Sequence, residues 1–193
     1  MSRNPPARPE ERPDADLVAR ARDGDRDAFG ELVRRHYRAA FAVALAVAGS
    51  RADAEDACQD AWVRALERLD SLRQPDRFVP WLLQVVRNTA HNRREHGRVR
   101  RAAPLDSPAA AAVADPREDP AHAALAAGLE AALAVLSPVQ REVVLLHDLE
   151  GWDHRAIAGA LGLTETNARQ HLFQARRRLR LALGDEGPGE GEA

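Results

Sequence analysis

A proline-rich stretch in the middle of the chain limits the fold more than any other feature. Residues 102–120 read AAPLDSPAAAAVADPREDP, which includes four prolines and shows no apolar periodicity. Proline lacks a backbone N–H and clashes with the preceding helical turn, so no long helix can run through this stretch. The sequence therefore predicts two small folding units, at about 14–101 and 121–184, joined by a flexible linker.

On both sides of the linker, the residue types favour helices over strands. Ala, Leu, Arg and Glu are good helix formers, and no long run alternates apolar and β-branched residues. Apolar residues make up 45% of the chain and aromatic residues only 4%, so the cores must consist mostly of Ala, Leu and Val. The predicted fold class is therefore all-α.

Helix-capping residues predict where several helices begin and end. Asp25 or Asp27 can cap the second helix, and Gly49 can end it in a left-handed conformation. Ser137 precedes Pro138, which is the usual arrangement of an N-cap followed by proline at the first helical position.

Charge and cysteine content restrict the function classes. The formal net charge of −2 means that any nucleic-acid site must be a local patch. Cys58 is the single cysteine, which excludes an internal disulfide and a cysteine-rich zinc site. Residues 1–13 contain no apolar stretch, and the apolar run at 39–49 is too short to span a bilayer, so a cytoplasmic protein is expected. Residues 1–13 and the acidic residues 185–193 are predicted to be disordered.

The third helix of the first unit is predicted to carry an acidic face. Asp53, Asp56, Asp60 and Glu67 recur at near-helical spacing. The residues expected to face inward are small or apolar: Ala54, Ala57, Ala61, Ala65 and Leu66. Paired carboxylates can bind a metal or act in acid–base catalysis. However, no His or Cys shares this face, and no other helix carries a second carboxylate motif that could complete such a site. A solvated or partner-binding face is therefore favoured over an active site.

The fourth helix begins apolar and ends strongly basic. From Arg87 to Arg101 it holds six arginines against one acid, Glu95, and Asn88 and Asn92 lie one turn apart on one face. Such a patch suits phosphates and base edges.

Two aromatic residues, Phe78 and Trp81, precede this patch. Aromatic rings beside arginines can stack with the bases of single-stranded nucleic acid, but the same rings can also fill a core. We favour core packing for both residues.

The second unit contains the spacing of a helix-turn-helix motif in HRAIAGALGLTETNARQHLF. Ala158 is small where the second helix crosses, Gly162 permits the tight turn, and Thr164 can cap the second helix. An apolar stripe should hold that helix to its unit: Ala168, Leu172, Ala175, Leu179 and Leu183.

The opposite face of this helix suits nucleic acid. Thr166, Asn167, Arg169 and Gln170 can pair with base edges, whereas the cluster Arg176–Arg180 lies where phosphates would be met. A solvated basic helix in an ordinary bundle is the alternative interpretation.

Three motifs in a fixed order carry a resemblance to a known family. DAEDACQDAW, WLLQVVRNTA and LSPVQREVVLLHDLEG, with the surrounding sequence across most of 16–183, closely resemble the extracytoplasmic-function (ECF) group of bacterial sigma-70-type sigma factors. Those proteins are initiation subunits of RNA polymerase with two helical domains. The resemblance implies sigma region 2 at 14–101, sigma region 4 at 121–184, and a function without catalysis, cofactor, metal or small-molecule substrate.

The resemblance also assigns roles to individual residues. Asp56, Gln59 and Asp60 are expected to dock on the clamp helices of the largest polymerase subunit. A loop at 71–77 would supply a pocket for a flipped base. Recognition and melting of the −10 promoter element falls to Arg87, Asn88, Asn92 and Arg93. Reading of the −35 element falls to Glu165, Thr166, Asn167, Arg169, Gln170 and Arg177.

Partners follow from the same resemblance. They are core RNA polymerase, through its clamp helices and the flap of its second-largest subunit, promoter DNA, and an anti-sigma factor that holds the protein inactive. Two other interpretations stay open. One is a two-domain helix-turn-helix regulator that binds operators as a dimer without docking on polymerase. The other is a carboxylate-based helical hydrolase that uses Asp53, Asp56 and Asp60.

Overall fold

The computed structural model describes residues 13–102 and 120–184, with side chains for 13–96 and 127–184. Every regular element in these ranges is helical, which confirms the predicted all-α class. None of these helices is both long enough and apolar enough to cross a membrane. Most of the predicted linker and both ends predicted to be disordered lie outside the described residues.

Each unit contains four α-helices. In the first unit they are α1 Asp14–Arg22, α2 Arg26–Ala48, α3 Arg51–Glu67 and α4 Phe78–Ala102, with short 3-10 turns at Leu69–Ser71 and Pro75–Arg77. In the second unit they are α5 Pro120–Ala134, α6 Pro138–Val144, α7 His154–Leu161 and α8 Glu165–Leu183, with a π-helical turn at Leu145–Leu149.

Capping side chains fix the ends of α2 and α3. Of the two predicted caps for α2, Asp25 serves, because its carboxylate accepts the backbone N–H groups of Asp27 and Ala28 at 3.0 Å. Gly49 ends α2 in the left-handed conformation with φ of 85°, as predicted. Ser50 then caps α3 by accepting the N–H of Asp53.

Alanine allows α2, α3 and α4 to approach closely. Four of the residues predicted to face inward from α3 are fully buried: Ala54, Ala57, Ala61 and Ala65. Trp62 fills the space beside them and meets Phe29 edge to face, with ring centroids 5.9 Å apart. The inward prediction for Leu66 is wrong, since its side chain is 52% exposed. Leu66 lies about 100° around the helix from Ala65, which places it outside the alanine stripe.

The interior of the first unit also takes up Phe78 and Cys58. Phe78 is fully buried, and its ring lies 5.7 Å from His36 and 6.0 Å from Trp81, so the core-packing prediction is confirmed for Phe78. Trp81 is partly buried against the same core. Burial raises the pKa of the Cys58 thiol to about 11, so the thiolate is scarce at neutral pH.

The second unit forms the predicted helix-turn-helix. Asp153 caps α7, Gly162 turns the chain with φ of 69°, and Thr164 caps α8 by accepting the N–H of Asn167 at 3.1 Å. These contacts explain why α8 begins at Glu165, because the capping side chain satisfies a backbone donor of its first turn. The helix that starts at the Ser137 cap stops at Val144 and continues as the π turn.

The apolar stripe of α8 is shorter than predicted. Ala168, Leu172 and Ala175 are buried and Leu179 is partly buried, but Leu183 is 66% exposed. Residues 181–184 are all exposed, so the end of α8 projects beyond the helices on which it packs.

The two units pack against each other through α2 and α4 on one side and α6, the π turn and α7 on the other. Arg141 of α6 donates to the carbonyl of Ala46 at the end of α2 at 3.2 Å. Glu130 of α5 accepts the backbone N–H of Arg51 at 2.9 Å, and thereby satisfies a donor at the start of α3. Buried apolar residues of both units form one continuous cluster.

Candidate nucleic-acid and polymerase interfaces

The exposed face of α8 carries every residue predicted to read the −35 element. Thr164 caps the N-terminal turn of α8, and the buried residues Ala168, Leu172 and Ala175 hold the helix against its unit. The exposed residues are Glu165, Thr166, Asn167, Arg169, Gln170 and Arg177. Arg169 contacts Glu165 at 2.8 Å, but both side chains are more than half exposed, so water and DNA can readily displace this pair.

Some arginines of the cluster Arg176–Arg180 on α8 have partners within the second unit, and others are exposed without an ion pair to a described residue. Arg176 pairs with Asp148 of the π turn, and Arg178 donates to Gln140 at 3.2 Å. Arg176, the first member of the predicted phosphate-binding cluster Arg176–Arg180, contacts Asp148 and thereby links α8 to its own unit. A phosphate contact at Arg176 stays a prediction. Arg177 and Arg180 are exposed and have no ion pair within the described part of the chain.

Two histidines flank the same ion pair. The rings of His147 and His154 lie 5.0 Å apart, and His147 contacts Asp148 at 2.8 Å. Burial lowers the pKa of His154, and the charges of His147 and Arg169 lower it further. His154 therefore adds little positive charge beside α8 at neutral pH. Burial opposes a low pKa for Asp148, but Arg176 and His147 together hold that pKa below its ordinary value.

The basic face of α4 lies at the boundary with the second unit. Asn88 and Asn92 are exposed, and Asn88 accepts a hydrogen bond from Gln84 at 2.9 Å. A groove of about 540 Å³ separates this face from α6 and the α7–α8 turn, and Asn88, His91 and Arg94 are among its lining residues. Three arginines of the predicted patch, at positions 98, 100 and 101, lie outside the residues whose side chains are described.

Arg87 is occupied by the second unit. Its Nε donates to both carboxylate oxygens of Glu142 on α6, at 2.9 and 2.8 Å. Glu142 is only 4% exposed. Burial raises the pKa of Glu142, although Arg87 opposes the shift. Arg87, which was predicted to contact promoter DNA, is thus paired with a buried carboxylate 55 residues away in the chain.

Arg93 joins two of the predicted sites. Its guanidinium contacts Asp56 at 2.6 Å and Asp60 at 2.5 Å, so a residue assigned to the −10 element lies against two residues assigned to polymerase docking. Asp53 instead accepts a hydrogen bond from Ser50 at 2.8 Å. All three carboxylates proposed for a hydrolase therefore have partners, and no metal-binding group of three or more ligands occurs among the described residues.

The exposed face of α3 has an apolar part that the sequence interpretation missed. Gln59 is exposed, and Val63, one turn further along, is 58% exposed. Leu66 extends the same side of the helix. The signal was present in the sequence, because the alanine stripe of α3 leaves Val63 on the opposite side.

The loop at 71–77, predicted to supply a base pocket, contributes its last two residues, Asp76 and Arg77, to a second groove between the units. This groove has a volume of about 630 Å³, and its lining includes Asp76, Arg77 and Pro80 from the first unit. Trp152 and Asp153 line it from the second unit. The structure therefore brings Asp76 and Arg77 of this loop close to the helix-turn-helix.

Comparison with family models recovers both units. The model described as sigma-70 region 2 matches residues 32–100, and the model described as sigma-70 region 4 matches residues 127–179. The ECF RNA polymerase sigma factor SigM of Mycobacterium tuberculosis is 32% identical over 174 residues, which cover 90% of this chain and 86% of SigM. The chain belongs to the ECF group of sigma-70-type RNA polymerase sigma factors.

Other relatives of this sigma factor differ in length. The protein named Probable RNA polymerase sigma factor RfaY, from Xanthomonas campestris, is 38% identical over 168 residues, which cover 83% of this chain and 41% of RfaY. The present chain thus spans less than half of RfaY.

Two solved structures share the fold. CnrH, solved in complex with the cytosolic domain of CnrY, superposes with a TM-score of 0.62 at 27% identity, over 91% of this chain and 100% of CnrH. RpoE of Bartonella quintana, solved with the anti-sigma factor NepR, gives a TM-score of 0.58 at 23% identity over 82% of this chain and 98% of RpoE, which is a likeness of fold.

Proposed function

We propose that this sigma factor directs core RNA polymerase to one class of promoters, in the cytoplasm, by contacting the −10 element with α4 and the −35 element with α8. The observation that carries the proposal is the exposed set of polar side chains on the N-terminal half of α8, whose first turn is capped by Thr164. The two units correspond to region 2 at 14–101 and region 4 at 121–184. Polymerase supplies the chemistry, and this chain supplies recognition.

Two-point binding explains why neither unit needs to bind free DNA tightly. When one unit is engaged, the linker keeps the other nearby, and the second contact becomes effectively intramolecular. The clamp helices of the largest polymerase subunit would take the α3 face, and the flap of the second-largest subunit would take region 4. An anti-sigma factor fits the family and would compete for these surfaces. CnrH, a relative of similar fold, was solved with the cytosolic domain of another protein.

Promoter binding requires the two units to move apart. In the packed arrangement Glu142 holds Arg87, and α6 forms the opposite wall of the groove that contains Asn88. A DNA strand that reached Arg87 would have to displace a buried carboxylate. Docking on polymerase, which would hold regions 2 and 4 at the spacing of two promoter elements, supplies the separation.

Replacement of Gln59 with alanine should weaken binding to core polymerase about tenfold while leaving the helix content unchanged. Gln59 is exposed and lies on the α3 face with Asp56 and Val63, so it makes no contribution to the core. The affinity can be measured by fluorescence anisotropy with purified core enzyme. Gln170→Ala is the matched control, because Gln170 is also exposed but lies on α8. Equal affinities for Gln59→Ala and the parent chain would contradict docking through this face.

Replacement of Arg169 with alanine should cost about 1–3 kcal/mol at one base pair of the −35 element and relax specificity there. Its guanidinium stands one turn into α8, where the N-terminal part of a recognition helix reaches base edges. The measurement is promoter-directed transcription over a set of single-base −35 variants. Arg177→Ala, two turns further along, should weaken all variants evenly, as expected for a phosphate contact. A uniform loss for Arg169→Ala would assign Arg169 to phosphate instead.

A further inference from the structure

Two arginines from different units meet at the C-terminal end of α2. Arg94 of α4 donates to the carbonyl of Val47 at 3.3 Å. Arg141 of α6 donates to the carbonyl of the preceding residue, Ala46, at 3.2 Å. The Cα atoms of consecutive residues are about 3.8 Å apart, so the two guanidinium groups lie near each other. Neither group forms an ion pair with a residue that the structure describes.

The packed arrangement makes these two charges repel each other. Burial lowers the pKa of the Arg141 guanidinium, and the charge of Arg94 lowers it further. The guanidinium of Arg141 donates to three uncharged carbonyl groups, at Ala46, Ala134 and Leu136, which leaves two of its N–H donors for a ligand. An anion between the two arginines would relieve the repulsion. Since only the packed units bring both arginines together, such an anion stabilises the packed arrangement.

The groove of about 540 Å³ between the units adjoins this arginine pair, because Arg94 and Val47 are part of its lining. The first unit also supplies two amides to the lining, from Gln84 and Asn88. The second unit supplies an apolar wall that consists of Pro138, Val139, Leu161 and Leu163. Sites for small molecules commonly have volumes of about 300–1,000 Å³, with mostly apolar linings and a few polar groups. A ligand with phosphates at one end and a flat ring at the other matches this distribution.

We propose that this groove binds a nucleotide and that the bound nucleotide holds the two units together. Its phosphate groups would lie between Arg94 and Arg141, and its base would pack on the apolar wall. The amides of Gln84 and Asn88 suit the polar edge of an adenine. Arg141 belongs to the second unit, so this site exists only while the units are packed and differs from the −10 surface of α4. A chain held closed in this way is kept from promoters, and that consequence rests on the proposed function, whereas nucleotide binding does not.

Calorimetric titration of the free full chain with ADP tests the site. Arg94→Gln removes one charge of the pair at an exposed position. The affinity for ADP should fall about tenfold, because charge-assisted hydrogen bonds to phosphate are lost. Arg64→Gln is the matched control, because Arg64 is exposed on α3 and its side chain has no partner among the described residues. Absence of ADP binding by the parent chain, or equal affinities of Arg94→Gln and Arg64→Gln, would overturn the proposal.

Two comparisons test the chemical class of the ligand. Pyrophosphate carries phosphates without a base, and it should bind about tenfold more weakly than ADP because it leaves the apolar wall in water. Val139→Ser should weaken the binding of ADP and leave that of pyrophosphate unchanged, since Val139 is exposed on this wall. Equal affinities for ADP and pyrophosphate would overturn the assignment to nucleotides.

Small-angle X-ray scattering tests whether the nucleotide holds the units together. Glu142→Ala removes the acid that pairs with Arg87 and should separate the units. Saturating ADP should then lower the radius of gyration of Glu142→Ala toward that of the parent chain. The double variant Glu142→Ala, Arg94→Gln should stay open with the same concentration of ADP. A radius of gyration of Glu142→Ala that ADP leaves unchanged would overturn the holding role.

Binding to core polymerase separates this inference from the proposed function. Polymerase has nucleotide sites of its own, so the parent chain and Arg94→Gln are compared on the same enzyme. ADP should weaken the docking of the parent chain more than that of Arg94→Gln. If neither chain docks even without ADP, the proposed function fails, and the titration of the free chain still decides the nucleotide site. If both dock and ADP affects them equally, the proposed function stands and the inhibitory role fails.

Discussion

Replacement of Phe78 with alanine should lower the free energy of unfolding by about 3–5 kcal/mol, the range for emptying an aromatic side chain from a core. Phe78 begins α4 and is fully buried between His36 and Trp81. Removal of its ring leaves a cavity between α2 and α4, and the surrounding helices can close it only in part. Urea unfolding followed by far-UV circular dichroism measures the change.

Phe173→Ala is the control for Phe78→Ala. Phe173 is an aromatic residue at a highly exposed position, so its removal should change the free energy of unfolding by no more than about 0.5 kcal/mol. If Phe78→Ala left the stability unchanged and instead weakened binding to single-stranded −10 DNA, Phe78 would be a base-stacking residue and its placement in the core would be wrong.

Replacement of Glu142 with alanine should separate the two units while each stays folded. The change removes the partner of Arg87 and leaves a guanidinium in a largely buried position, and breaking a buried pair in this way costs about 3–5 kcal/mol. Small-angle X-ray scattering should show a larger radius of gyration, and the helix content should persist. Glu142→Gln should open the molecule less than Glu142→Ala does. Glutamine keeps the shape of the side chain, and its neutral amide is cheaper to bury than a carboxylate whose pKa is already raised.

Arg87→Ala should change the affinity for single-stranded −10 DNA in the opposite direction from Glu142→Ala, although both variants break the same ion pair. With Glu142→Ala, Arg87 is free and binding of single-stranded −10 DNA should strengthen. With Arg87→Ala the units also separate, but a phosphate or base contact is lost and binding should weaken. Equal radii of gyration for the parent chain, Glu142→Ala and Arg87→Ala would show that the Arg87–Glu142 pair does not hold the units together.

Local features of the sequence predicted much of this fold correctly. Capping by Asp25, Ser137 and Thr164, and the left-handed glycines at 49 and 162, depend on neighbours within a few residues. Alanine periodicity likewise identified the buried side of α3. These signals are short-range, so a single sequence contains them.

The contacts that the sequence did not predict join distant parts of the chain. The partner of Arg87 is 55 residues away, and the acids that bind Arg93 are 37 and 33 residues away on another helix. No periodicity encodes such pairs, and each of these arginines was assigned to DNA without an intramolecular partner. The exposure of Leu66 and Leu183 also depends on how the helices pack. Leu66 lies outside the alanine stripe of α3, and Leu183 lies where α8 projects beyond the helices on which it packs.

The candidate site was predictable where it depends on one helix. The α8 reading face follows from the 3.6-residue period and the Thr164 cap, and all six predicted residues are exposed there. The α3 face was only half predicted, because acids were taken as its defining feature and Val63 was overlooked. Val63 and Leu66 together add exposed apolar area to this face, and docking on polymerase would bury that area.

Run-off transcription tests the central claim most directly. Purified core polymerase would transcribe genomic fragments with and without this protein, and the 5′ ends of the transcripts would be mapped. The account predicts new start sites that appear only with the protein, that share two sequence elements upstream, and that decline with Gln59→Ala. If no promoter-specific transcript appeared with the protein present, its assignment as the promoter-recognition subunit would be contradicted.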